Sequence, residues 1–381
     1  MTLALDDLIA FRRDLHRHPE LGFEEHRTAG LVAAALRDLG LDVVEGVGGT
    51  GVVGTLGHSG PRIGLRADMD ALAMAEEATR PWASRAPGRM HACGHDGHTA
   101  MLLGAAARLA ADPPAATVHF IFQPAEEGRG GARAMVADGF AERFPCDFIF
   151  GLHNMPGLAT DEMAVAPGPQ LASSDSWTVR FIGTGSHGAK PHEGRDPVTA
   201  AAQFLAALQT VPGRTVDPLS PAVVSACHVA AGDPAALNVI PDRVEIGGTA
   251  RAYTAHVRDG LEREIGRLAD GMAAAFGLTA EYRYIRRIAP VVNAARPAEI
   301  AAAAADVVCA GGVRRDFPPS TAGDDFSVFA DLAPAAYVWL GNGPAEDGAL
   351  HHTPGYDFND AAIATGVAFW AELVRRAAAA G

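Results

Sequence analysis

Between residues 90 and 98 the sequence MHACGHDGH places one cysteine and three histidines within nine positions. A thiol and imidazoles at this spacing are metal donors, and Cys93 and His95 stand one residue apart just ahead of a helical stretch, HTAMLLGAAARLAAD. Other segments carry matching chemistry. QPAEEG sets Glu126 beside Glu127, and adjacent carboxylates repel unless a cation or a proton separates them. GLHNMP supplies His153, and LHHTPGYDFND supplies His351 and His352. A thiolate, imidazoles and a carboxylate form a borderline-soft set suited to zinc and open to cobalt, nickel or manganese. Five such ligands exceed the three of a usual mononuclear catalytic site and fit two divalent metal ions sharing a water.

These residues need strand ends to bring them together. LDVVEG, TGVVGTLG and RIGLRAD read as strands bounded by glycines, and EEHRTAGLVAAALRDLG reads as a helix closed at Gly40. ATVHFIFQPAEEG and CDFIFGLHN are short apolar runs that end in polar residues. Strands apolar on both faces and separated by helices predict a mixed, mostly parallel α/β sheet, with chemistry at the strands' carboxyl ends. Asp68, Asp70, Glu126, Glu127 and His153 all occupy such ends.

From about residue 173 the rhythm changes to β-α-β-β-α-β, the order of a ferredoxin-like α+β unit. After it EIAAAAADVVCAGG, AAYVWLG and the last helix resume the first rhythm. The expected organisation is a discontinuous catalytic domain, residues 1–172 and 289–381, interrupted by a second domain over 173–288.

Composition narrows the class. A net charge of −14 without a basic stripe argues against nucleic acid as a partner. No apolar run reaches membrane-spanning length, and the N-terminal stretch has early acids and no long apolar core, so neither a membrane span nor a secretory signal is expected. Four scattered cysteines form no disulfide framework, which points to a reducing cytoplasm. Apolar neighbours mark Cys146, Cys227 and Cys309 as buried small hydrophobes.

RRDLHRHPELGFEE, LRADMDAL, MHACGHDGHTAMLLGAA, QPAEEGRGGARAM, GLHNMP, GSHGAKPH, NVIPDRVEIGGTAR and HHTPGYDFND follow one another along nearly the whole chain. In this order they resemble the hippurate hydrolase and N-acyl-amino-acid amidohydrolase branch of the dinuclear aminoacylase and carboxypeptidase metallopeptidases. The resemblance implies an α/β catalytic domain with an inserted ferredoxin-like lid, often also the dimer contact, and hence a homodimer or higher homo-oligomer. It implies Cys93, His95, Glu127, His153 and His352 as ligands, His352 rather than His351 because it stands two residues before Pro354. His91 and His98 are left for packing or hydrogen bonding to the ligands, and His16 and His18 for structure.

Glu126, beside the ligands but not among them, suits proton transfer between water and leaving nitrogen. Asp70 matches the family acid that orients a metal-site group. Related carboxypeptidases carry a ligand histidine two residues before that acid, where this chain has Asp68, and Cys93 would make up the missing ligand. His187, in a Gly-rich loop, could meet a developing oxyanion. Asn238 and Arg251 flank one hairpin and suit capture of a substrate α-carboxylate, for which arginine offers a matching fork.

The activity implied is hydrolysis of small-molecule N-acyl or N-aroyl amino acids to a carboxylic acid and a free amino acid. A dipeptidase or carboxypeptidase of the same fold is the alternative. A binding protein that has lost catalysis would lack Glu126 or ligands, and a structural zinc protein would have no use for a free acid beside them.

Overall fold

The computed structural model describes residues 3–345 and 350–380. The chain divides into two compact units. One comprises Met1–Gly168, Val292–Pro318 and Asp324–Gly381, the other Pro169–Val291 with Pro319–Gly323.

The first unit is built on an eight-stranded sheet. Its order is Asp42–Val47, Gly51–Leu56, Thr117–Gln123, Arg62–Asp68, Phe148–Met155, Ala335–Gly341, Glu162–Ala164 and Gly312–Arg314. The four central strands, Thr117–Gln123 through Ala335–Gly341, run parallel. Antiparallel pairs flank them: Gly51–Leu56 turns back on Asp42–Val47 and on Thr117–Gln123, and Ala335–Gly341 meets Glu162–Ala164 head to tail. Thr117–Gln123 and Ala335–Gly341 are buried at every position, which explains why they read as continuous apolar runs. The helix His95–Ala111 is likewise buried nearly all round. Its Met101, Leu102, Leu103, Ala105 and Ala106 join one core with strand residues such as Leu65, Phe120 and Phe150.

The second unit carries a four-stranded antiparallel sheet in the order Ala222–Ala231, Arg243–Ala252, Ser174–Ile182, Thr279–Ile288. Helices Pro197–Leu208 and Ala255–Phe276 complete a strand-helix-strand-strand-helix-strand succession. Along Ser174–Ile182 the alternate residues Asp175, Trp177, Val179 and Phe181 are buried, the period of a half-covered strand. Asp196 and Thr254 cap the two helices by accepting from the amides of Val198 and Val257.

Two expectations about cysteines need correction. Cys227 is exposed, because the strand Ala222–Ala231 lies at the sheet edge and its register slips between Ala226 and His228. Cys146 is only half-buried, its thiol donating to Phe144 O at 3.3 Å, whereas Cys309 is buried. Among the described residues no helix is long and apolar enough to cross a membrane.

Candidate metal centre

The strand Arg62–Asp68 lies between its parallel neighbours Thr117–Gln123 and Phe148–Met155, so three carboxyl ends open side by side. Asp68 ends the first strand and Asp70 follows it, Glu126 and Glu127 follow the second, and His153 lies on the third. The fourth contribution comes from the turn before the helix His95–Ala111. Gly94 takes φ +94° there, and a Cβ on it would run into the Asn154 amide and the Tyr356 hydroxyl. Only glycine lets Cys93 and His95 approach the strand ends so closely.

The Cys93 Sγ lies 3.4 Å from His153 Nε2. Glu127 Oε1 is 3.9 Å from His95 Nε2 and 3.4 Å from His352 Nε2. Donor atoms of Cys93, His95 and His153 lie within 4.8 Å of one another, as do those of Cys93, Glu127 and His352. Cys93 is common to both triples.

Several observations show that a divalent cation fits here. His95 Nε2 and Glu127 Oε1 are buried without a hydrogen-bond partner, a costly state for interior polar atoms. Burial, then the charges of Glu127 and Glu126, push the Cys93 thiol well above its ordinary range, so a thiolate there calls for a balancing cation. Burial opposes a charge on His95, yet Asp68, Asp70 and Glu127 surround the ring and push its pKa up to about 10. The His95 Nδ1 lies 2.9 Å from the Asp70 carbonyl and 3.2 Å from its Oδ1, which directs Nε2 inward. The other Asp70 oxygen accepts from the Glu127 amide at 3.0 Å.

Asp68 is fully buried. It accepts from Arg66 Nη1 at 2.7 Å and faces His98 Nδ1 at 2.6 Å. Burial raises its pKa, but His95, Arg66 and His98 together hold it well below the usual carboxylate range. His98 Nε2 accepts from the Asn154 amide at 3.0 Å, so both of its ring nitrogens are engaged. His91 is buried, and burial lowers its pKa to about 4.

The two adjacent histidines differ. His351 Nε2 meets Asn154 Oδ1 at 2.9 Å, and burial lowers its pKa to about 3. His352 faces Glu127, donates its amide to Ala92 O at 2.8 Å, and takes φ +59°. Ala125, just before Glu126, takes φ +53°. Left-handed conformations at two non-glycine residues of one site are strain held in place by its surroundings.

Glu126 is buried, and burial, then Asp324 and Glu127, raise its pKa well above the ordinary value. Oxygens of Glu126, Asp324 and Asp325 lie within 4.8 Å of one another. Asp324 accepts from Arg66 Nη2 at 2.9 Å and from the Tyr337 hydroxyl at 2.7 Å. Asp325 accepts from Gln123 Nε2 at 2.6 Å and from the Ala132 amide at 2.9 Å. Sequence reasoning missed these two acids, for which the paired GDDF was the available signal, and missed Asn154. The Asn154 amide Nδ2 donates to Cys93 O at 2.6 Å, and its Oδ1 accepts from Tyr356 at 2.7 Å.

The remaining candidates lie in the second unit. His187 is not in a loop but in the two-residue strand Ser186–His187, paired with Val239–Ile240. Asn238 therefore adjoins His187, and its carbonyl accepts from the Gly188 amide at 2.7 Å. Asn238 lies in the connection between the antiparallel strands Ala222–Ala231 and Arg243–Ala252, and Arg251, on the second of them, stands opposite Val223. Its Nη1 donates to Thr249 Oγ1 at 2.6 Å and to Ala250 O at 3.1 Å.

The sequence matches the model of peptidase family M20/M25/M40 over residues 64–376. It is 40% identical to the hippurate hydrolase of Campylobacter jejuni over 366 residues, 95% of this chain and 94% of that one. It is 34% identical to thermostable carboxypeptidase 1 of Saccharolobus solfataricus, covering 91% of this chain and 88% of that one. Among solved structures, a Bacillus subtilis dinuclear metal binding peptidase of family M20 superposes with a TM-score of 0.86. That pair shares 33% identity across 99% of this chain and 98% of that chain.

Proposed function

Since the chain belongs to peptidase family M20/M25/M40 and is an amide-cleaving hydrolase of it, we propose that its substrates are N-acyl or N-aroyl amino acids of the hippurate kind. The observation that carries the reading is Glu126, a buried carboxyl whose oxygen lies within 4.8 Å of donor atoms of His95 and Glu127, beside the donor set Cys93, His95, Glu127, His153 and His352. These five would hold two divalent cations, zinc first among them by donor type. Such cations, when bound, supply Lewis-acid polarisation of the acyl oxygen and a water of lowered pKa.

The protein's own groups do the rest. Glu126 takes the proton of the attacking water and delivers it to the departing nitrogen. Asp70 fixes the His95 ring through Nδ1. In the second unit, His187 is assigned to the developing oxyanion, and Asn238 and Arg251 to the substrate's α-carboxylate. Four free cysteines fit a reducing cytoplasm. The exposed edge strand Ala222–Ala231, with Val223 and Val229 at its surface, fits pairing with a second copy.

Likeness to a carboxypeptidase keeps peptide cleavage as the second reading. Enzyme reconstituted with zinc, manganese, cobalt or nickel should be assayed on hippurate, N-acetyl amino acids and Gly-Phe. Preference for hippurate and its relatives supports the proposal, and preference for the dipeptide overturns it.

A further inference from the structure

The N-terminal motif RRDLHRHPELGFEE has no part in the chemistry above, yet it holds the most deeply buried cation of the first helix. The side chains of Arg12 and His16, one turn apart on the helix Leu5–Arg17, are both 0% exposed. A guanidinium so buried must be paired, and Arg12 is paired three times. Its Nη1 donates to Asp357 Oδ1 at 2.8 Å and to Asp96 Oδ2 at 3.3 Å, and its Nε donates to Asp360 Oδ1 at 2.8 Å. His16 Nδ1 lies 2.8 Å from the same Asp96 oxygen.

The acids come from two places. Asp96 follows His95 directly, at the start of the helix His95–Ala111. Asp357 and Asp360 belong to HHTPGYDFND, the loop that carries His352. One side chain outside both ligand segments thus ties the turn bearing Cys93 and His95 to the loop bearing His352. Outer groups keep the acids in place: Arg13 donates to Asp360 Oδ2 at 2.8 Å, and Trp82 Nε1 to Asp357 Oδ2 at 3.0 Å.

We propose that Arg12, aided by His16, is a positioning residue for the metal centre, holding Asp96 and the pair Asp357 and Asp360 so that His95 and His352 converge. This rests on the ligand assignment proposed above. Groups behind metal ligands characteristically set affinity by 10- to roughly 100-fold, because they fix ligand orientation before the ion binds.

The test is cobalt(II) binding to the purified apo protein, measured by competition with a chromogenic chelator and by the near-ultraviolet thiolate-to-cobalt absorption. Arg12→Lys keeps the charge without the fork, Asp357→Asn removes one acceptor from the less buried end, and Leu8→Ala unsettles the same helix without touching an acid. Arg12→Lys and Asp357→Asn should each weaken cobalt binding about 10-fold or more. Leu8→Ala should lower the apo melting temperature and leave cobalt affinity unchanged. Wild-type affinity in both polar variants, or an equal loss in Leu8→Ala, overturns the proposal. If the wild-type chain binds no cobalt, the ligand assignment itself falls, and this proposal with it.

Discussion

His153 Nε2 lies 3.4 Å from Cys93 Sγ, although 60 residues separate them. The strand Phe148–Met155 brings one and the turn at Gly94 the other into a buried space where acids disfavour a free thiolate. Cys93 is therefore a weak nucleophile on its own, and in the ligand set proposed above it would bind a cation as thiolate. Cys93→Ser should lose metal and activity together, while Cys227→Ser, at an exposed edge, should lose neither. Alkylation of the metal-loaded enzyme followed by peptide mapping is the direct check. Cys227 should be labelled and Cys93 spared, and equal labelling would remove Cys93 from the ligand set.

The adjacent histidines should separate cleanly. His352→Ala should reduce bound metal below two ions per chain by elemental analysis. His351→Gln can still meet Asn154 and should keep the full complement. The reverse pattern would exchange their roles.

Glu126→Gln is nearly isosteric and removes the proton acceptor without adding charge. Metal content should persist, and kcat should fall roughly 100-fold or more, the scale of lost general-base catalysis. Near-normal turnover in the fully metallated variant would place the base elsewhere.

Much of this was legible before any coordinates. The short apolar runs RIGLRAD, ATVHFIFQPAEEG, CDFIFGLHN and AAYVWLG locate the four central strands, and the change to alternating patterns near residue 173 marks the ferredoxin-like succession, because a half-covered sheet and a fully covered one impose different periods. The candidate ligands Cys93, His95, Glu127, His153 and His352 were legible because thiol, imidazole and carboxylate donors stand in short motifs that resemble those of a family. What did not show was dictated by contacts distant in sequence. The brace from Arg12 to Asp357 spans 345 residues, and no local pattern announces it. Asp324 and Asp325 were missed because their partners Arg66, Gln123 and Tyr337 lie far from them in the sequence or carry no pattern that points to them. Cys227 misled because apolar neighbours signify burial only on a covered strand, and its strand is an edge.

His16 gives a prediction in pH. Burial lowers its pKa, but the charge of Asp96 and its hydrogen bond outweigh that and carry it to about 9, above the ordinary 6.5. A raised folded-state pKa means stability present in full below the ordinary value and lost as pH climbs through about 9, amounting to about 3 kcal/mol. Glu76 faces the same ring; burial raises its carboxyl, but His16 and the Ser84 amide hold it below the ordinary range. Melts of chelator-treated protein at about pH 6 and pH 9.5 should show a larger drop for wild type than for His16→Gln. Parallel drops would mean the imidazole is not the titrating group.

The last prediction concerns Arg251, whose guanidinium is steered by Thr249 and the Ala250 carbonyl through Nη1. Every N-acyl amino acid ends in an α-carboxylate, and a net charge of −14 offers such an anion no long-range attraction, so a local cation must hold it. A bidentate contact of this kind, once desolvated, is worth roughly 2–4 kcal/mol. Arg251→Ala should therefore lower kcat/KM for hippurate by about 30- to 1000-fold, the equivalent of that energy. Because holding the carboxylate also orients the amide, part of the loss should fall on kcat. Lysine should restore only a fraction, since an ammonium cannot form the fork. The amide of hippurate is the control, as it lacks the carboxylate. Wild type should strongly prefer the acid, and Arg251→Ala should lose most of that preference. An acid-to-amide ratio unchanged by the substitution would assign the carboxylate to another group.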